Sequence, residues 1–310
     1  MIRYIFKRLI VMIPTLLCIT FLVQLFLAIT PGDPARLMAG NEATEEEIEA
    51  MREEMGLNDP ILVRYWNYLS NVLKGDFGKS FRTKNAVMDE IGKRFPYTLF
   101  LVFCSMALAV LIGVPTGIYA STHQYSWKDN LSILLSLFFV SMPSFWFALL
   151  AIQFFGVKLK LVPVAGVDTW RGWILPCVTN ALVYAASIAR QMRSNMLEVI
   201  RQDYISTARA KGQRERIVLY DHALPNAIIP IIMTVGGIFG LAIGGSMVTE
   251  TIFGIPGIGS YTISALTARD YPVIQTSVLF LSTLHCLVLL LTDIAFAIVD
   301  PRIRGQYSGK

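Results

Sequence analysis

Charged side chains are scarce in this sequence. Asp, Glu, Lys and Arg make up 16% of its 310 residues, against about a quarter of an ordinary soluble domain. With 54% hydrophobic residues, this composition favours a chain dissolved in a lipid bilayer. A helix needs about 20 apolar residues to cross a ~30 Å hydrocarbon layer. Six runs are long enough, at roughly 9–30, 97–120, 130–156, 173–192, 226–248 and 273–299.

The predicted fold class is therefore all-α, a polytopic membrane protein with six transmembrane helices. A small helical external subdomain is expected between the first and second spans. The predicted segments are residues 1–30, the cytoplasmic end and first span; 31–96, the external subdomain; 97–299, a five-helix core with a cytoplasmic loop at 193–225; and 300–310, a cytoplasmic tail. The first apolar run is longer than a signal-peptide core, so we interpret it as a retained span.

Cysteine and histidine are also few. The four cysteines lie in four different apolar runs: Cys18, Cys104, Cys177 and Cys286. No CxxC or CxxH spacing occurs, and such cysteines are typical of small buried apolar residues. We therefore predict no metal site and no cofactor bound by this chain.

Signatures of catalysis are lacking too. The stretch Lys74 to Ser80 ends in GKS, but Leu73 stands where a phosphate-binding loop needs glycine. The stretch Gly254 to Thr262 ends in threonine where a dinucleotide fingerprint needs glycine. No HExxH or GxSxG occurs. The sequence therefore predicts a chain that is not an enzyme.

Basic residues exceed acidic ones, with a formal net charge of +5, and their distribution predicts orientation. Seven lie between Arg190 and Arg216, and others lie before the first run and at the C-terminus. Because Lys and Arg favour the cytoplasmic side, we predict cytoplasmic N- and C-termini. The cluster lacks the interleaved aromatic residues that base stacking uses, so no nucleic-acid partner is expected. Arg190 and Arg193 are interpreted as interface anchors.

The external subdomain shows two helix-start signals. Thr44 with Glu47 has capping-box spacing, and Asp59 precedes Pro60 as a cap precedes a proline at the first helical position. We interpret the subdomain equally as a lid on its own spans and as a docking or gating surface for an external protein. The Gly/Pro-rich segment from Glu250 to Pro272 is expected to dip back into the protein.

One polar stretch, Asp203 to Pro225, separates two membrane-length runs in the C-terminal half. Ile205, Ala208 and Gly212 fall at i, i+3 and i+7, so a helix would carry them as one stripe that lets another surface approach. Gly212 is placed where a helix ends in the left-handed conformation. A second pattern of the same spacing begins at Ile217 and is expected to stop at Pro225.

The spacing of Ala208, Gly212, Leu224 and Pro225 resembles the cytoplasmic Glu-Ala-Ala loop of ABC-importer permeases. Ser206 stands where that motif has Glu. The motifs PGDPA at Pro31, RDYPVIQ at Arg269 and DPRIR at Asp300 extend the resemblance over the whole chain. The sequence is most similar to the oligopeptide/dipeptide permease B-like branch, the binding-protein-dependent importers of peptides and nickel.

The resemblance implies a transport subunit of a bacterial or archaeal plasma membrane, in contact with lipid. Expected partners are a second homologous permease, two cytoplasmic ATPase subunits that carry ATP and Mg²⁺, and an external solute-binding protein. Di- or oligopeptides are the expected cargo, with nickel or a nickel chelate as the alternative. The residues implied to contact the ATPase are Asp203, Ile205, Thr207, Ala208, Arg209, Lys211, Gly212, Leu224 and Pro225.

Two features of the last apolar runs leave alternatives open. Gly236, Gly240 and Gly244 repeat every four residues, which indicates either close helix packing or a stripe that faces the translocation pathway. Asp293 lies near the end of the last run and is either a pathway residue or a structural hydrogen-bonding group. No metal role is assigned to His285.

A rival function from another class is a self-contained secondary carrier. Such a carrier would need charged residues at mid-depth and inverted repeats. The first five runs have almost no charge at mid-depth, and no repeat is visible. A non-catalytic membrane anchor is a third candidate. It would be favoured by paired histidines within the spans, but His285 is the one histidine in an apolar run.

Overall fold

The computed structural model describes residues 2–40 and 42–299, and every regular element within those ranges is helical. The all-α prediction is confirmed for this part of the chain. Asp300 and the predicted tail at 300–310, with its DPRIR motif, lie outside the described residues. The helices are α1 Ile2–Ile29, α2 Pro34–Ala39, α3 Glu45–Glu54, α4 Ile61–Leu73, α5 Val87–Thr122, α6 Trp127–Ser141, α7 Ser144–Lys158, α8 Ile174–Ile200, α9 Asp203–Ala210, α10 Glu215–Ala227, α11 Ile229–Gly245, α12 Met247–Phe253, α13 Ile258–Ala268 and α14 Tyr271–Val299.

The predicted six spans are not six straight helices. Within the described residues, 4 helices are long and apolar enough to cross a membrane unbroken, and up to 6 spans exist if each bent pair counts as one. The pair α6 and α7 bends by 100°, and α10 and α11 bend by 49°. The first bend lies at Met142 and Pro143, where a proline removes a backbone donor and forces its predecessor out of the helical region.

The helix of the second span begins well before the predicted span. α5 starts at Val87 and passes through Pro96 and Pro115, so the predicted boundary of the external subdomain falls inside a continuous helix. Prolines are tolerated in membrane helices because neighbouring groups can satisfy the freed carbonyls.

The external helices follow one of the two predicted caps. The Thr44 hydroxyl accepts from the Glu47 N–H at 3.3 Å, and the Glu47 carboxylate accepts from the Thr44 N–H at 2.8 Å, which confirms the capping box. The Asp59 cap is wrong. Pro60 itself occupies the cap position of α4 and makes no side-chain cap bond.

Helices α5 and α8 pack closely in the core. A Cβ built on Gly113 would lie 2.8 Å from the carbonyl oxygen of Ala185, and one on Gly117 would lie 2.6 Å from that of Ala189. The two backbones therefore touch where glycines recur at a four-residue spacing. Gly113 and Gly117 meet backbone oxygens of α8, whereas Gly236 and Gly240 of α11 meet side chains of α14.

The chain between α1 and α5, here called the 31–86 segment, is held by two sequence motifs that lie far apart in the chain. The Arg269 guanidinium donates to the carbonyls of Pro31 and Gly32. Asp270 is buried and accepts from the Phe81 N–H at 3.0 Å and from the Ser80 hydroxyl. The serine of the GKS sequence thus anchors this segment to the start of α14.

A buried carboxylate holds the re-entrant segment. Glu250 is fully buried and accepts from the Thr98 hydroxyl at 2.8 Å, the Ser246 hydroxyl at 2.9 Å and the Ser260 N–H at 3.0 Å. Burial raises the pKa of Glu250, while these donors oppose the rise. Gly257 leaves room for the carboxylate at the N-terminus of α13. As expected, this Gly/Pro-rich segment packs into the protein, with Glu250 as its anchor.

We predict that Glu250→Ala lowers the melting temperature of the detergent-purified protein. The variant leaves three donors without their acceptor, and each unsatisfied buried group costs about 1–3 kcal/mol. The melting temperature of Glu250→Gln, which keeps an acceptor oxygen, should lie between those of Glu250→Ala and the parent. Thr251→Ala is the matched control, because its exposed hydroxyl bonds only the Met247 carbonyl of its own helix. Equal melting temperatures for Glu250→Ala and the control would contradict this role.

Candidate functional site

The polar stretch folds into an elbow, here defined as residues 203–227. It consists of α9, a turn at 211–214, and α10. Gly212 has φ +75°, in the left-handed region, as predicted, and a Cβ built on it would meet no atom within 4 Å. The outer side of the turn therefore has room for a side chain at this position.

The predicted docking stripe faces inward. Ile205 is 0% exposed and Ala208 is 8% exposed, and both join a core cluster that contains Val218 and Ala223 of α10. The expectation that these two residues admit a partner surface is wrong. Their spacing indicated an apolar helix face, but the chain's own α8 and α10 provide the apolar surface that covers it.

The second helix departs from the predicted periodicity. Ile217 and Tyr220 are exposed, whereas Val218, Ala223 and Ala227 are buried. A π-helical stretch at Val218–Ala223 shifts which side chains face the core, because it adds a residue to the turn. The helix also continues past Pro225 to Ala227, so the expected stop at the proline is wrong.

An ion pair closes the elbow across the Gly212 turn. The Arg209 guanidinium donates to both oxygens of Glu215, at 2.7 and 3.1 Å. This hydrogen bonding raises the pKa of Arg209. The Asn226 amide donates to the Tyr204 hydroxyl at 3.0 Å, which ties the two helices together a second time. Arg209 was expected to contact a partner, but here it braces the loop.

The outer surface of the elbow is polar. Six of the predicted contact residues are exposed: Asp203, Thr207, Arg209, Lys211, Gly212 and Pro225. Leu224 is half-buried. A cavity of 350 Å³ opens beside the turn, lined by Arg214, Arg216, Ile217, Tyr220 and Asp221. None of these five residues was singled out as a contact residue from the sequence.

One hydrogen bond attaches the elbow to α8, and an ion pair nearby attaches α8 to α6. The Asn195 amide of α8 donates to the carbonyl of Ala227 at 3.2 Å. Nearby, Arg193 donates to both oxygens of Asp129, at 2.6 and 2.7 Å, and Asp129 is buried. Arg193 therefore joins α8 to α6, which corrects its interpretation as an interface anchor. Arg190 is exposed.

The glycine repeat of α11 is mostly a packing surface. A Cβ on Gly236 would clash with Thr292, and one on Gly240 would lie 2.9 Å from the His285 ring, so both glycines close against α14. Gly244 differs, since nothing lies within 4 Å of its built Cβ. The pathway interpretation is thus wrong for the first two glycines in this structure and stays a prediction for Gly244.

Asp293 has a structural partner. Its carboxylate lies 3.0 Å from the Arg8 guanidinium of α1. Further along the same antiparallel pair, the Tyr271 hydroxyl donates to the Leu27 carbonyl at 3.1 Å. Of the two alternatives left open by the sequence, the ion pair supports helix packing.

No metal site was recognised in the described ranges. No group of three or more His, Cys, Asp or Glu side chains in residues 2–40 and 42–299 is placed to hold a metal ion. The four cysteines are free and lie on α1, α5, α8 and α14. That the chain binds no metal or cofactor stays a prediction.

We predict that Glu215→Gln opens the elbow without unfolding the protein. An exposed ion pair contributes at most about 1 kcal/mol, so trypsin should cut after Lys211 or Arg214 about two to five times faster. The melting temperature should stay that of the parent. Glu198→Gln, an exposed acidic residue of α8, is the control and should leave the cleavage rate unchanged. Equal rates for both variants would contradict a closing role for the pair.

Two known proteins are similar in sequence to this chain over nearly its whole length. The chain is 42% identical over 304 residues to the glutathione transport system permease protein GsiC of Escherichia coli (strain K12), covering 98% of this chain and 99% of that protein. It is equally similar, at 42% with the same coverage, to the protein of that name from Pectobacterium atrosepticum.

Solved structures share the fold at lower identity. An inward-facing form of the MetNI methionine ABC transporter matches with a TM-score of 0.59 and 20% identity, covering 69% of this chain and 97% of that chain. An amino acid ABC transporter matches with a TM-score of 0.51 and 18% identity, covering 69% of this chain and 94% of that chain.

Family models describe nearly the whole chain. Residues 1–102 match the N-terminal part of the membrane component of binding-protein-dependent transport systems. Residues 113–305 match the inner membrane component of binding-protein-dependent transport systems. This chain therefore belongs to that family and is a membrane permease subunit of an ABC importer of the bacterial inner membrane.

Proposed function

We propose that this permease forms, with a second homologous permease, the pathway for di- or oligopeptides, glutathione-like peptides among them. An external solute-binding protein delivers the peptide, and two cytoplasmic ATPases drive transport through the elbow. The observation that carries this proposal is the elbow itself, a polar surface braced by Arg209 and Glu215 and packed onto the membrane helices through Ile205 and Ala208.

The geometry supports transmission of force as a rigid body. Lys211, Gly212 and Arg214 form the exposed tip that would enter a groove on the ATPase. A push on the tip moves α9 and α10 together, because their apolar faces share one core cluster with α8. The permease pair would then exchange between inward- and outward-open states. This chain contributes no hydrolysis, and ATP with Mg²⁺ would sit on the partner ATPases.

The orientation of the chain is part of the proposal. The cluster of basic residues from Arg190 to Arg216 favours a cytoplasmic elbow. That places both termini inside and the 31–86 segment outside. This arrangement requires six spans, and the two bent pairs would supply the remaining two if each crosses the membrane once.

The relatives support a peptide cargo over nickel. The two relatives reported above match over nearly their full length and are named for glutathione transport, and glutathione is a tripeptide. No observation on the described residues favours nickel or a nickel chelate. Membership in an ABC-importer family removes the basis for a self-contained carrier.

We predict that Gly212→Trp inserts normally but loses substrate-stimulated ATP hydrolysis and uptake. A Cβ added to this glycine meets no atom of the chain within 4 Å, so the ring would extend outward and collide with the partner ATPase. Gly212→Ala measures the strain of a side chain at positive φ, about 1–2 kcal/mol, without the bulk.

The matched control is Gly75→Trp. Gly75 also has a positive φ, +84°, and open space around it, but it lies on the 31–86 segment. That variant should keep coupled ATP hydrolysis. Normal uptake by Gly212→Trp would show that the elbow is not the coupling site.

We predict that unlabelled glutathione and dipeptides compete with a labelled peptide for uptake by the assembled transporter. Nickel chloride and a nickel–histidine chelate should not compete. The measurement uses the cognate binding protein and vesicles that contain the full complex. Competition by nickel alone would replace the peptide assignment and leave the coupling role of the elbow intact.

A further inference from the structure

Helix α4, within the predicted external subdomain, has an apolar face that nothing in the described chain covers. Leu62 is 70% exposed, Trp66 is 71% exposed and Leu73 is 88% exposed. On a helix these three positions fall within one narrow stripe, since their spacing is i, i+4 and i+11. A water-soluble subdomain would not place a stripe of this size in solvent.

The neighbouring face of α4 packs against the first transmembrane helix. The Tyr65 hydroxyl donates to the Leu17 carbonyl at 2.7 Å and lies 3.2 Å from the Thr20 hydroxyl. The Tyr65 ring also meets Phe21 edge-on, with centroids 5.3 Å apart. These contacts fix α4 beside the middle of α1, not beyond its end.

That position lies inside the hydrocarbon layer. The apolar part of α1 is Ile5–Ile29, 25 residues. At 1.5 Å per residue it is about 37 Å long, against a hydrocarbon thickness of ~30 Å. Leu17 lies about 18 Å along the helix axis from Ile29. The helix is about 7 Å longer than the hydrocarbon layer is thick. Even if all of that excess projects beyond the layer at the Ile29 end, the Tyr65 hydroxyl lies about 10 Å below the surface of the layer.

The polar side of α4 faces away from that stripe. Asn67 and Asn71 are exposed on the far side of the helix. Arg64 is half-buried, with its guanidinium 6.0 Å from the centre of the Tyr271 ring at the start of α14. One face is thus apolar and free, one is held by protein, and one is polar, which is the arrangement of helices that lie in a membrane interface.

We propose that α4 is embedded in the bilayer, in the leaflet next to the 31–86 segment. Acyl chains of that leaflet cover Leu62, Trp66 and Leu73. The stripe continues the exposed apolar surface of α1, where Leu22 and Phe26 are also exposed. The predicted external subdomain is then partly a membrane-inserted element. Trp66 is suited to that depth because its indole has an apolar body and a polar N–H.

The test measures what covers each side of α4 in the assembled transporter in lipid nanodiscs. In a background without the four native cysteines, Trp66→Cys and Asn67→Cys are spin-labelled one at a time. Collision with molecular oxygen, which partitions into lipid, is compared with collision with a water-soluble nickel chelate. The two positions are adjacent in sequence and differ only in the face they occupy.

Lipid contact predicts that the label at Trp66→Cys collides several-fold more with oxygen than with the chelate, and that Asn67→Cys shows the reverse. Greater chelate collision at Trp66→Cys would overturn the proposal. So would shielding from both reagents in the assembled transporter, which would assign the stripe to a protein partner. If either variant has a lowered melting temperature, Leu62→Cys and Asn71→Cys repeat the comparison. None of these outcomes depends on cargo or on ATPase coupling.

Discussion

The direct backbone contact between α5 and α8 is the constraint on which the rest of the fold depends. Gly113 and Gly117 let the two long helices touch, and a side chain at either position would collide with a carbonyl of α8. Lipid offers no hydrophobic drive to bring helices together, so close packing has to supply the attraction. Met192 of α8 packs against Gly117, and together with Met196 it joins the core cluster that contains Ile205 and Ala208 of the elbow. The elbow is thus mounted on a helix that is itself held by direct backbone contact with α5.

Buried carboxylates organise the segments that regular packing leaves out. Glu250 accepts from α5, from Ser246 just before α12 and from α13. Asp270 accepts from the chain that precedes α5, and Asp129 accepts from Arg193. Each carboxylate joins pieces that are distant in sequence, and removing one partner would leave a buried group unsatisfied. The irregular segments therefore have defined positions against the helices.

Much of this architecture could be predicted from the sequence. The apolar runs indicated the membrane helices, the Thr44 and Glu47 spacing indicated a cap, and Gly212 indicated a left-handed turn, because each depends on local chemistry. Prediction failed where the outcome depended on a neighbour. The spacing of Ile205 and Ala208 marked an apolar face but not what covers it, and the π-helical stretch in α10 moved the face that Ile217 was expected to begin.

What the sequence by itself determined is the class of molecule, a helical membrane permease with a polar elbow between two apolar runs, since hydropathy and short motifs are properties of neighbouring residues. Only the tertiary structure decided the partners of its polar groups: Arg209 with Glu215, Arg8 with Asp293, Arg269 with Pro31. It also placed α4 beside the middle of α1. Such pairings join residues from different parts of the chain, and in a single sequence nothing about one member specifies the other until the helices pack.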